Sequence, residues 1–331
     1  MHPVFEYLVL GIYFPFAALL LIYGLNAYVL VFLYLKNRHR HQPVQQACQA
    51  AGSKTLKETD LPFVTTQIPI YNEYNVVQRV IEAACAMDYP KTKHQIQVLD
   101  DSTDETTALI DRIVPPLISD GHDIEVIRRS DRTGFKAGAL AHGLKTAKGE
   151  FIAIFDADFI PPDNFLTQTV GFFADDPQVG LVQARWGHTN KARSLLTQAQ
   201  SIGIDGHFMI EQSARNWSGL FMNFNGTAGV FRQTAIHDAG GWAWDTLTED
   251  LDLSYRLQFS GWKIVYNPDL VVPAEIPETI SAFKSQQFRW AKGSIQTAKK
   301  IFPALVRFPC PLFQKVQAVF HLTHYMVHLL M

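Results

Sequence analysis

Five aspartates in three clusters, and one Gln/Arg/Trp group, are the residues of this 331-residue chain whose types and spacing could do chemistry. Asp156-Ala157-Asp158 comes directly after the apolar run Phe151–Phe155. Residues i and i+2 face the same side of a strand, so both carboxylates can converge on one cation. Two carboxylates completed by phosphate oxygens and water suit Mg2+ or Mn2+. A solvated loop or a helix cap competes evenly for an isolated Asp-x-Asp; its position directly after a buried strand favours the metal. Asp100-Asp101 ends the strand pattern before it, Gln95–Leu99, and is followed by Ser102, Thr103 and Asp104. One of the latter three is expected to cap the next helix. That leaves two adjacent carboxylates, of which at least one is read as facing a nucleotide. In Thr248-Glu249-Asp250, the spacing of Leu247, Leu251 and Tyr255 predicts a helix with one buried face. Taken alone, Thr248 capping that helix, with the acids complementing its dipole, is the preferred reading. Gln286, Arg289 and Trp290 combine an amide, a guanidinium suited to a diphosphate and a flat aromatic on which sugars stack. An amphipathic helix with Trp290 at a bilayer interface is the competing reading, and both can hold.

These groups need a scaffold, and the pattern supplies one. From Pro62 to about Asp269, β-branched runs alternate with helical patterns. Phe63–Ile68, Gln95–Leu99, Ile124–Ile127, Phe151–Phe155 and Val179–Gln183 read as strands. Asn75–Met87, Glu105–Leu117, Lys136–Thr146 and Asn164–Phe173 read as the helices between them. Such alternation predicts an α/β domain with a mostly parallel, doubly wound sheet. Ligands then sit outside the carboxyl ends of the strands, where Tyr71-Asn72-Glu73, Asp100-Asp101 and Asp156-Ala157-Asp158 fall.

From Val4 to Leu35 the chain is almost wholly apolar, with Glu6 the only charge, which is long enough to cross a bilayer. Lys36, Arg38 and Arg40 come next and place that flank in the cytoplasm. The organisation expected is a transmembrane anchor with its basic flank (1–41), a linker (42–60), the α/β domain (61–275), amphipathic interfacial helices (276–311) and the start of a further membrane helix (312–331). In the fourth segment Phe288, Ala291, Ile295, Ala298, Phe302 and Leu305 form a stripe bordered by basic residues, read as an interfacial helix. His321, His324 and His328 share a helical face and are expected as packed or interfacial neutral side chains rather than metal ligands.

Several classes are disfavoured. A net charge of -2 gives no general pull toward nucleic acid. The three cysteines, Cys48, Cys85 and Cys310, form no CxxC pair, which fits a reducing compartment. There is no GxGxxG, no Walker A loop and no GxSxG elbow.

The order Asp-Asp-Ser-Thr-Asp-Glu-Thr (100–106), Phe-Asp-Ala-Asp-Phe (155–159), Thr-Glu-Asp (248–250) and Gln-Gln-Phe-Arg-Trp (286–290) resembles the D, D, D, QxxRW pattern of processive family 2 glycosyltransferases, the cellulose synthase-like enzymes. Pro69–Glu73, Lys136–Leu140, Gln183–Gly187 and Phe224–Gly229 match as well, and the mannan/glucan-synthase branch is the most similar. The resemblance implies a GT-A fold, a nucleotide-sugar donor (UDP-glucose or GDP-mannose) and a Mg2+ or Mn2+ ion. It implies donor binding by Tyr71, Glu73, Asp100 or Asp101, Lys136 and Asp156, with Asp156 and Asp158 on the metal. Asp250, beside Glu249, would be the base that deprotonates the acceptor, and Gln286, Arg289 and Trp290 would serve acceptor and diphosphate. The expected enzyme is an inverting hexosyltransferase of the cell membrane, multi-pass, with its catalytic domain cytoplasmic and a glycan acceptor. A lipid acceptor taking a single sugar, or a non-catalytic scaffold on the same fold, are the alternatives. Such enzymes carry further membrane spans after the last motif, so this chain reads as C-terminally truncated.

Overall fold

A computed structural model describes residues 3–40 and 61–331; the expected linker at 42–60 lies outside the described residues. Strands β1 (Val64–Ile70), β2 (His94–Asp100), β3 (Asp123–Ile127), β4 (Phe151–Ile154), β5 (Val179–His188), β6 (Gly229–Arg232) and β7 (Lys263–Ala274) form one sheet in the order β3-β2-β1-β4-β6-β5-β7. All five strands expected from the β-branched runs are present. The pairs β1–β2, β1–β4, β2–β3 and β5–β7 are parallel. β6 runs antiparallel to both neighbours, β4 and β5. The sheet is therefore mixed, with one strand reversed against an otherwise parallel set.

Alternation along each strand divides the apolar residues between two faces. Phe151 and Ala153 join a core with α2 (Val77–Cys85), α3 (Thr106–Ser119) and α5 (Phe165–Asp175). Ile152 and Ile154 join a second core with α4 (Phe135–Gly143), α8 (Gln233–Asp238) and α9 (Glu249–Phe259). Burial on both faces explains why β4 reads as an unbroken apolar run. Between β5 and β6 lie α6 (Leu195–Asp205), a π-helical stretch (Gly206–Gln212) and α7 (Ser213–Trp217).

At the N-terminus α1 (Pro3–Asn37) is, among the described residues, the one helix long and apolar enough to cross a membrane. It touches the domain along one face. Leu30 packs with Ala214 and Leu220, Tyr34 stacks on Trp217 at 5.5 Å, and Asn37 Nδ2 donates to Ser218 Oγ at 3.0 Å. At the other end come α10 (Ile280–Arg307), α11 (Leu312–Thr323) and α12 (Met326–Leu330).

One helix reading needs correction, and in a second helix the face on the domain lies largely apart from the expected interfacial stripe. In α10 the face on the domain is Gly293, Ser294, Thr297, Ile301 and Leu305, while Phe288 and Phe302 of the expected stripe are 67% and 50% exposed. Hydropathy weights the bulky side chains, but contact is made by small ones that allow close approach: a Cβ on Gly293 would lie 2.5 Å from Thr248 Cγ2. In the acidic helix, α9 starts at Glu249, and Leu247 lies ahead of it, exposed, while Leu251 and Tyr255 are buried.

Candidate active site

The exit loops of β1 and β2 are tied together first. Asn72, in a left-handed conformation (φ 56°), donates its amide to Ser102 Oγ at 3.0 Å and accepts from the Thr103 amide at 2.9 Å. Asp104 accepts from the Thr106 amide at 3.0 Å, so one of the three expected capping residues does serve the start of α3. Asp100 and Asp101 then separate in role. Asp100 is buried, accepting from Arg128 Nε at 2.8 Å and from the Ser102 amide at 3.0 Å. Asp101 is gripped by both the Nε (3.0 Å) and Nη2 of Arg129, with Arg132 Nε 3.9 Å away. Arg132 also covers the Tyr71 ring, its guanidinium carbon 3.1 Å from the centroid. The sequence motifs do not include these arginines, although Arg128-Arg129 and Arg132 stand just ahead of Lys136.

Asp156 and Asp158 do not share one face of an extended strand, contrary to expectation. β4 ends at Ile154, and the two aspartates lie in the turn beyond it. The Phe159 amide closes that turn by donating to Asp156 O at 3.1 Å, and Thr227 Oγ1 accepts from the Asp156 amide at 2.9 Å. The carboxylates still share one electrostatic environment. Burial, with Asp156 beside it, pushes Asp158 up to about 7. Asp156 itself is paired with Lys136 Nζ at 2.5 Å, and the same ammonium donates to Gly226 O at 2.9 Å. Burial works against the charge on Lys136, but Asp156, Glu249 and Asp250 outweigh it and raise its pKa.

Asp250 stands opposite. A Cβ on Gly226 would be 3.2 Å from Asp250 Oδ2 and 3.6 Å from Lys136 Nζ, and with φ at 85° a glycine suits the loop ahead of β6 where it slips between the two. Burial, then repulsion from Glu249, raises Asp250 to about 7. Glu249 is raised too, chiefly by burial. Thr248 does not cap α9 through its side chain; its hydroxyl instead meets Thr297 Oγ1 of α10 at 3.0 Å. Gln296 Oε1 accepts from the Leu247 amide at 3.0 Å, so α10 is docked directly against the start of α9. Among the described residues, the positive-φ non-glycines are Asn72, Phe135 and Ala228, in the loops that build this site.

Beyond Asp250 opens a cavity of about 560 Å3, walled by Trp186, Phe283, Gln286, Trp290 and Tyr325, with Asp250 in its lining. Its size is that of a ligand pocket. Gln286 and Trp290 thus meet Asp250 across one space. Arg289 is not part of that wall; it is exposed and donates to Ser285 Oγ at 3.3 Å. His207, Glu211 and Arg215, spaced four apart from the π-helical stretch into α7, form a row at the cavity, with Arg215 buried and the other two half-buried in its lining. Glu211 accepts from Arg215 Nε at 2.9 Å and meets His207 Nδ1 at 3.0 Å. Burial opposes its charge, but Arg215 and His207 hold Glu211 well below the usual carboxylate range. The motifs do not reveal this row either; its i, i+4 spacing of His, Glu and Arg is the signal that could have found it.

Residues 62–293 match the family described as glycosyltransferase like family 2. The chain belongs to that family. Its relatives include a probable glucomannan 4-beta-mannosyltransferase 7 of Oryza sativa subsp. japonica, 48% identical over 80% of this chain and 45% of the relative. A glucomannan 4-beta-mannosyltransferase 2 of Arabidopsis thaliana is 40% identical over 84% of this chain and 52% of the relative. The resemblance to the mannan/glucan-synthase branch is borne out. The chain spans about half the length of the curated relatives it matches. Among solved structures, the mannosyltransferase PcManGT of Pyrobaculum calidifontis, in complex with GDP-Man and Mn2+, superposes with a TM-score of 0.65 at 22% identity, over 91% of this chain and 82% of that one. The S. aureus TarS 1-349 complex with UDP-GlcNAc gives 0.58 at 14% identity, over 80% and 73%. The GT-A-like glycosyltransferase fold expected from the sequence is thereby confirmed.

Proposed function

We propose that this family 2 glycosyltransferase is an inverting hexosyltransferase that moves mannose from GDP-mannose to the end of a β-linked polysaccharide at the cytoplasmic face of a membrane. The observation that carries the reading is the pairing of an acidic, Lys136-braced donor side with a sugar-sized cavity closed by Asp250. The mannosyltransferase names of the plant relatives support the choice of sugar. Aromatic walls from Trp186, Phe283, Trp290 and Tyr325, with Gln286 among them, suit a pyranose chain better than an acyl chain. α1 and the basic residues after it support the membrane placement.

In this mechanism Asp250 takes the proton from the acceptor hydroxyl. The freed oxygen attacks the anomeric carbon, and the bond from that carbon to the diphosphate breaks. One displacement inverts the centre, so an α-linked donor gives a β-glycoside. Trp290 and Gln286 hold the acceptor sugar. Tyr71 and Arg132, already stacked, offer a platform for the base, and Lys136 neutralises Asp156 and the diphosphate beside it. Of the two motif aspartates we assign the donor contact to Asp101, which lies beside the Arg132 that covers Tyr71, rather than to Asp100, which is buried against Arg128 and the Ser102 amide.

No group of three or more His, Cys, Asp or Glu side chains among the described residues converges as a complete cation cage. The donor set still fits Mg2+ or Mn2+, which take one or two carboxylates and complete their shells with water and phosphate oxygens. Asp158, raised to about 7 by burial and by Asp156, is the group a cation would relieve. Asp156 and Asp158 would hold the ion, whose charge offsets that of the leaving diphosphate.

This yields a pH prediction. Asp158 is protonated in the cation-free folded state up to about 7, against an ordinary 3.8, so its contribution to stability is full below 3.8 and is lost as pH rises toward 7. Mn2+ should therefore raise the melting temperature more at pH 8 than at pH 5. Asp158→Asn should remove most of that difference. Equal shifts at both pH values would count against the assignment.

The test of the function itself is incubation of the membrane-reconstituted chain with radiolabelled GDP-mannose or UDP-glucose, and then sizing of the product. A growing mannan-type polymer from GDP-mannose is expected. Transfer from UDP-glucose alone, or one sugar per lipid, would overturn the donor or the acceptor assignment respectively.

A further inference from the structure

A helix that only anchors a domain needs apolar side chains and nothing more. α1 carries Tyr23, Asn26 and Asn37, at helical spacing on the face that holds the buried Leu30. Polar groups on a membrane span are costly, so their partners say what they do. Asn26 Oδ1 accepts from Gln317 Nε2 of α11 at 2.7 Å, and Gln317 is only 2% exposed. One turn away, Tyr23 OH meets Thr323 Oγ1 at 2.6 Å, and its ring packs edge-on to Phe320 at 5.2 Å. α1 therefore grips α11 at three points.

On its other side α11 grips the active site. His321 Nε2 meets Asn223 Oδ1 at 3.0 Å, and its Nδ1 meets the Tyr255 hydroxyl of α9 at 2.9 Å. The Gln317 carbonyl accepts from Arg215 Nη1 at 3.4 Å. Arg215 holds Glu211 and Glu211 holds His207, whose Nε2 meets Asn225 Oδ1 at 2.9 Å. Asn223 Nδ2 donates to the same Asn225 oxygen at 3.1 Å. The next residue, Gly226, accepts from Lys136, the partner of Asp156, and lies against Asp250. The buried members of this network, Arg215, Gln317 and His321, resist displacement, because breaking one link strands its partner without water.

We propose that α1 is a positioning element of the active site: through Asn26 and Tyr23 it sets α11, and α11 holds the Asn223–Gly226 loop between Lys136 and Asp250. The contacts exist whatever the donor; their catalytic consequence rests on the function proposed above. An apolar substitution at Asn26 leaves the anchor's hydropathy intact and removes the setting of the loop.

The experiment compares amide hydrogen exchange and turnover for the full chain in nanodiscs, as wild type, Asn26→Leu with Tyr23→Phe, Tyr23→Phe alone, the exchange Asn26→Gln with Gln317→Asn, and Tyr28→Phe on an exposed face of α1. The double variant is expected to speed exchange at residues 223–228 by about tenfold, with β1 and β2 unchanged. Its kcat should fall by about three- to tenfold while the KM for the donor stays within about twofold. Tyr23→Phe alone, which keeps the ring, should move both readouts the same way by less. The exchanged pair should restore most of the loss, and Tyr28→Phe should behave as wild type. Exchange at 223–228 that is unchanged in both Tyr23→Phe proteins, or that rises equally across the sheet, would overturn the proposal. Because exchange needs no substrate, a wrong donor would silence only the turnover arm.

Discussion

Asp250→Asn should lower turnover by about 10²- to 10⁴-fold, the range a positioned general base contributes. The substitution preserves shape, and the bond from the Leu251 amide to Asp250 Oδ1 (2.8 Å) can be kept by the amide oxygen. Folding and donor affinity should therefore change little, and the loss should fall on kcat. The wild-type profile carries a second signature. Burial and Glu249 hold Asp250 near 7, so its basic form grows as pH rises through that value, and kcat/KM should climb with it to a plateau. In Asp250→Asn the climb should vanish along with the rate. An Asn variant that retains wild-type turnover would remove Asp250 from the chemistry.

The largest effect on stability is expected two residues further on. Asp252 has no exposed surface, and its Oδ2 accepts from Arg256 Nε at 2.8 Å and pairs with Nη2 at 2.6 Å. Its other oxygen lies 3.0 Å from Lys300 Nζ of α10, an ammonium that also reaches Asp245 at 2.7 Å. Removing one member of a buried ion cluster leaves the rest uncompensated, at a cost of about 3–5 kcal/mol. Asp252→Ala should accordingly lower the melting temperature by about 10 °C. It should also loosen α10 from α9, so the KM for the acceptor should rise through Gln286 and Trp290. Asp252→Leu, which restores packing without charge, should recover part of the stability and none of the acceptor affinity. A melting temperature within a degree or two of wild type for the Ala variant would show that Lys300 and Arg256 find other partners.

The range over which each feature is determined decides how legible it is in the sequence. The five runs read as strands are clear because burial on both faces or strict alternation marks a strand locally. β6 and β7 are not; Gly229–Arg232 is only four residues long, and its place between β4 and β5 is decided by contacts far apart in sequence. The carboxylates are legible because acids after apolar runs stand out. Their cationic partners are not, since Arg128, Arg129 and Lys136 gain meaning only when β3 and α4 deliver them to Asp100, Asp101 and Asp156. The small-residue face of α10 escapes for the opposite reason: hydropathy rewards the exposed phenylalanines and overlooks Gly293, where contact is tightest.

The reversed direction of β6 has a consequence for where this enzyme can be altered. A strand that runs against its neighbours begins where they end. The loop entering β6 therefore lies at the ligand-bearing edge. The segment leaving β6 lies at the far edge, where the Gln233 amide bonds to Glu150 O ahead of β4. Residues 220–228 are enclosed by α9, α11 and Lys136, and lengthening them by even one residue should disturb the Lys136 and Asp250 sides together. The stretch from Asp238 to Gly241, past α8, has two consecutive glycines in left-handed conformations, and Gly241 has nothing within 4 Å of where a Cβ would stand. Changes should be better borne there than at 220–228, provided Ala239 O and Gly241 O keep accepting from Arg256, the partner of Asp252.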